Sequence, residues 1–138
     1  MIAKSILVGM AVVLSLGAGP ARAGVCLGKS MTLDETADAI SAMPGCDRAM
    51  KLFEVCEYGT SGDIHLGAAV EEKCEADFLT RLTAPQKLSY QREMRICDRK
   101  YQSENGTMYR SFTAFCRAEV AQRYSQRVRK IAGPSPGG

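Results

Sequence analysis

The chain has 138 residues, 46% hydrophobic and 24% charged, which is the size of one small domain. Its 13 glycines and 5 prolines are ordinary and exclude collagen-like and low-complexity readings. A single histidine argues against multi-histidine metal sites, and a formal charge of +3 is too mild to point to nucleic acid. No cofactor, metal or nucleic-acid partner is expected.

Residues 1–23 read as a cleaved export signal. Lys4 supplies the positive start, and Ile6 to Leu16 is an apolar run of 11 residues. Gly17 to Pro20 breaks that run, and Ala21-Arg22-Ala23 has the form of a cleavage site. The run is shorter than the roughly 20 apolar residues of a membrane span. Cleavage after Ala23 would leave residues 24–138 secreted or periplasmic, without a stable membrane anchor. Cys26 follows closely, but Ala23-Gly24-Val25 is a poor lipoprotein signal, and lipidation would leave an odd number of thiols.

The remaining chain reads as helices. Thr32 and Glu35 form a capping box, followed by Leu33, Ala37, Ile40 and Met43 at helical spacing, with Pro44-Gly45 as the stop. Cys46, Met50, Phe53 and Cys56 make a second stripe, closed by Gly59. Residues 59–63 have loop composition. A third helix is expected from Ile64 or Gly67 to Leu82, carrying Val70, Cys74 and Phe78. Thr83 and Gln86 form a second capping box with Pro85 in the first turn. Tyr90, Met94, Cys97 and Tyr101 then repeat at i, i+4, i+7 and i+11. A turn at 103–106 leads to a last helix from about Met108 to Ile131, with Met108, Phe112, Cys116, Val120, Tyr124 and Val128 on one side. The fold class is therefore all-α. About five helices, stapled by three disulfides, form one domain over 24–131, and 132–138 is a flexible tail.

Cys26, Cys46, Cys56, Cys74, Cys97 and Cys116 all lie beyond the export signal. An even count in an oxidising compartment reads as three disulfides. No C-x-x-C is present, which argues against zinc ribbons, thioredoxin-type motifs and haem attachment. Six cysteines allow fifteen pairings. Cys46 and Cys56 on one continuous helix would lie roughly 15 Å apart, too far for a disulfide, whose Cα atoms approach within about 7 Å. Cys97 and Cys116 face each other across the last hairpin and are the best pair. Cys26–Cys46 and Cys56–Cys74 would complete a sequential set.

Charge divides along the chain. Residues 24–77 hold 4 basic and 11 acidic residues, net −7, and residues 78–138 hold 12 basic and 4 acidic, net +8. Internal pairing of acidic with basic helices is the simpler reading, and a face that steers a charged partner is the functional one.

Residues 83–127 carry a family resemblance. Gln86 opens a helix, Tyr90 follows a turn later, Cys97 stands eleven residues after the Gln, and Gly106-Thr107 makes a small turn. Cys116 comes nineteen residues after Cys97, and Arg123 follows. This hairpin, 83–131 with the end of its second helix, resembles the N-terminal domain of the LprI-type lysozyme inhibitor family. Tyr90 stands where that family usually has Trp. The resemblance implies a non-enzymatic protein-binding domain with lysozyme as partner, and it assigns no inhibitory residue.

Candidate site residues are few. His65 beside Asp63 could form a general base pair, though a loop histidine with a capping Asp is the simpler reading. Glu71 and Glu75 could supply paired carboxylates, but they share one helix face, and glycosidases need them across a cleft. They read instead as solvated surface. Tyr90, Tyr101, Phe112 and Tyr124 at helical spacing read as core. Arg110, Arg117, Arg123 and Arg127 read as salt-bridge partners and not as a phosphate strip. Asn105-Gly106-Thr107 is a formal glycosylation sequon whose glycine is expected to supply left-handed geometry. The acidic half could attract cationic lysozyme, with loop 59–67 entering its cleft. A lipid or small-ligand carrier and an envelope structural or stress protein are the alternative readings.

Overall fold

A computed structural model of the chain describes Cys26 and residues 31–133. The expected export signal (1–23) and the end of the expected tail (134–138) lie outside the described residues. Five α-helices follow one another: α1 (Leu33–Ser41), α2 (Cys46–Cys56), α3 (Asp63–Phe78), α4 (Ala84–Lys100) and α5 (Thr107–Ala132). One 3-10 turn, Leu79–Arg81, separates α3 from α4. No strand occurs among the described residues.

Both capping boxes form. The Thr32 hydroxyl accepts from the Glu35 N–H while the Glu35 carboxylate accepts from the Thr32 N–H, and Thr83 and Gln86 repeat the exchange. The Thr32 bonds hold the exposed Glu35 carboxyl below its ordinary range. Gly45 and Gly106 precede α2 and α5 with φ of 101° and 120°. Their ψ values, 161° and 151°, place them in an extended region open essentially to glycine alone. Gly106 thus supplies positive φ, but not the left-handed helical geometry expected of it.

The α3–α5 pair is the centre of the bundle. α1 and α2 pack on α3, and α4 packs mainly on α5. The close approach of α3 and α5 depends on small residues. A Cβ on Gly67 would come within 3.1 Å of the Ala114 Cβ and 3.2 Å of its carbonyl oxygen. Ala114, Ala118, Ala121 and Ser125 continue this buried seam along α5 at i, i+4, i+7 and i+11. The expected stripe on α5 is corrected at its start. A run spaced by four drifts about 40° per step on a 3.6-residue helix, so Met108 and Phe112 rotate out to the surface.

Phe53, Phe78, Ile40, Leu66 and Val70 fill the core. Phe53 stacks on Phe115 with centroids 4.1 Å apart. Phe78, Tyr90 and Tyr124 form a three-ring cluster joining α3, α4 and α5, with centroids 5.0–5.5 Å apart.

Three disulfides form: Cys26–Cys56, Cys46–Cys74 and Cys97–Cys116. The last is the expected pair, and Cys46 and Cys56 are not joined to each other. The sequential set Cys26–Cys46 and Cys56–Cys74 is overturned. In the antiparallel α2–α3 hairpin, residues equally far from the turn meet, and Cys46 and Cys74 are equidistant from residue 60. Cys74 sits eleven residues into α3, roughly 16 Å from the end that Cys56 occupies. Cys56 is left for Cys26. No described helix is long and apolar enough to cross a membrane, and three disulfides suggest an oxidising, extracytoplasmic location.

Candidate functional site

The helix α3 begins at Asp63, so residues 63–67 are its first turn and not the expected loop. The Asp63 carboxylate is fully buried and folds back over the preceding turn. It accepts from the Tyr58 and Gly59 N–H groups, both at 2.8 Å, and from the Ser111 hydroxyl at 2.7 Å. All of its strong contacts tie the 57–62 connection to α3 and α5. His65 points elsewhere: its Nε2 lies 3.4 Å from the exposed Asp34 carboxylate. The structure thus separates His65 from Asp63.

Glu71 and Glu75 are not solvated surface. Glu71 accepts two bonds of 2.9 Å from the Arg117 guanidinium, which also donates to Asp98 on α4. The Glu71 bonds and carboxylate, then those of Asp98, hold Arg117 above its ordinary range against the opposing effect of burial. Glu75 accepts from the Tyr90 hydroxyl at 2.7 Å. Burial, and then the neighbouring carboxylate, push that phenol strongly up. Tyr124 donates to Glu93 at 2.7 Å and is raised for the same reasons.

The charge split is answered inside the molecule only in part, by the two described ion pairs of Arg117 and Arg129 that join the acidic half to the basic half. Arg117 pairs with Glu71, Arg129 with Asp47, and Arg123 with Glu93. Asp47 also accepts from Gln122 and Gln126. Partial burial pushes the Asp47 carboxyl up, but the Gln122, Arg129 and Gln126 bonds together outweigh it and hold the group below its ordinary range. Arg127 lies over the Tyr124 ring. Among the described residues no buried side-chain polar atom lacks a partner, and no group of three or more metal-ligand residues converges.

What the structure leaves outward is the end of the α4–α5 hairpin. Tyr101, Tyr109 and Phe112 form a second ring cluster, with centroids 5.6–6.0 Å apart. Met108, Ile64 and Phe112 are 49%, 45% and 41% exposed. Ile64, Tyr101 and Tyr109 also line an open cleft of about 480 Å³ with Gly106, Arg110 and Glu104. Lys100 lies 5.2 Å from the Tyr101 centroid. Cys97–Cys116 clamps the hairpin about nine residues from its tip. Tyr90 and Tyr124 are core, as expected, whereas Tyr101 and Phe112 belong to this outer cluster. Sequence reading missed Tyr109 and Ile64. Tyr109 and Phe112 at i, i+3 just after a glycine turn were the available signal, and Ile64 is added only by tertiary packing.

No family model, curated protein or solved structure matches this chain. The functional reading therefore rests on geometry and on the hairpin resemblance.

Proposed function

We propose that this chain is an exported, non-enzymatic module that binds a protein through the aromatic end of its C-terminal hairpin. The observation that carries the reading is a cluster in which exposed Phe112, Met108 and Ile64 surround the half-buried rings of Tyr101 and Tyr109. Clustered exposed aromatic and aliphatic side chains mark interaction sites, and aromatic anchors dominate interface energetics. The disulfide below the tip limits what ordering the surface would cost on binding. Secretion or periplasmic residence, with cleavage after Ala23, accompanies this proposal.

Lysozyme is the partner that the resemblance implies, and the same hairpin carries that resemblance. Glu104, which lines the cleft with Ile64, offers negative charge to a cationic partner. A turbidity assay of cell-wall lysis with the signal-free protein in excess tests the pairing. Lysis should slow, and the paired substitution Met108→Ser and Phe112→Ser should restore it. Undiminished lysis would remove lysozyme as the partner. Inhibition that survives the double substitution would place the contact elsewhere on the molecule.

A further inference from the structure

The outer face of α4 is used by nothing described so far. Its inner face is Tyr90, Met94 and Cys97, the only buried residues of the helix. On the opposite side, Leu88, Arg92, Arg95, Ile96 and Arg99 repeat at i, i+4, i+7, i+8 and i+11. This stripe runs about 16 Å along the helix. Leu88 and Ile96 are 58% and 51% exposed, two turns apart among the three arginines.

The face carries no negative charge. The two acids of α4 are Glu93 and Asp98. Glu93 accepts from Tyr124 and Arg123, and Asp98 accepts from Arg117, so both are drawn toward α5. Among the described ion pairs none involves Arg92, Arg95 or Arg99. Because α4 packs mainly on α5, Leu88, Arg92, Ile96 and Arg99 lie on the outer side of the bundle, and Arg95 stands at the edge of an open cleft with Leu79 and Met94.

From this arrangement we infer that the outer face of α4 docks reversibly on an anionic lipid bilayer. Guanidinium groups form paired hydrogen bonds to phosphate oxygens. Leu88 and Ile96 have nothing to gain from phosphate alone, but a bilayer offers acyl surface directly beneath its headgroups. An exposed stripe of mixed arginine and aliphatic residues matches that layered chemistry. The extracytoplasmic location suggested by the disulfides gives such a protein access to a membrane surface. This is peripheral attachment, weakened by salt, and it is separate from the hairpin end proposed for the protein partner.

Co-sedimentation of the secreted, disulfide-bonded protein with vesicles tests the inference. It should pellet with phosphatidylcholine vesicles that contain one third phosphatidylglycerol, stay soluble with pure phosphatidylcholine, and be released by added salt. Replacing Arg92→Gln, Arg95→Gln and Arg99→Gln together should weaken binding by about tenfold or more. Leu88→Gln with Ile96→Gln should weaken it at constant charge. The control pair Arg127→Gln and Lys130→Gln should bind like the parent. All these positions are exposed, so unchanged circular dichroism is expected of every variant. The inference is overturned if anionic vesicles are not bound, if the triple variant binds like the parent, or if the control pair loses as much as the triple variant. Tighter binding to duplex DNA than to anionic vesicles would also overturn it, and would assign the stripe to nucleic acid.

Discussion

Asp63 shows how a carboxylate survives without water. Three donors converge on it, two of them backbone N–H groups, and it opens a helix whose N-terminal dipole favours negative charge. Its role is to hold the α2–α3 connection against α5, which is why it is unavailable to His65. Asp63→Asn keeps the shape but turns an acceptor into a donor facing donors, and should cost about 3 kcal/mol. Urea denaturation of parent and variant measures this; an unchanged midpoint would show that the network contributes nothing. The sequence showed Asp63 beside His65 but not Ser111, which is 48 positions away. Local spacing reads it as a cap, but Gly62 is the N-cap of α3 and no side chain caps that helix. The donors it serves come from the preceding turn and from a distant helix, which no local pattern encodes.

At the scale of elements, the helices and their starts were legible because capping and apolar periodicity are local. Thr32 with Glu35 and Thr83 with Gln86 fixed two starts within a residue. The inner face of α5 was less legible. Its seam is alanine and serine, which carry little hydropathy contrast, and its meaning depends on Gly67 opposite. A further joint between elements runs from Asp47, in the first turn of α2, to Gln122, Gln126 and Arg129 near the end of α5. A carboxylate held below its ordinary pKa stabilises the fold above its unfolded value, near 3.9. That stabilisation is lost as pH falls through the lower folded value. Asp47→Asn should therefore be less stable than the parent at about pH 6, and the gap should close at about pH 2. Denaturation midpoints at the two acidities check it; a gap independent of pH would mean the charge of Asp47 is not what matters.

For the whole molecule, the consequence lies in time. In a chain exported as proposed, cysteines would leave a translocation channel in chain order, so Cys26 would meet Cys46 before Cys56 had emerged. The native pairs Cys26–Cys56 and Cys46–Cys74 interleave, with each loop containing one end of the other. The first bond that order of arrival favours is one that the finished protein must not keep. Cys97 and Cys116 arrive last and find each other without a competitor between them. Export without a disulfide isomerase should therefore accumulate forms mispaired within residues 26–74, while Cys97–Cys116 forms normally. Non-reducing peptide mapping of protein from isomerase-deficient cells would show this, and native pairing at full yield would contradict it. On export, the order in which the thiols appear would make this protein a client of disulfide reshuffling, with the burden concentrated in its N-terminal half.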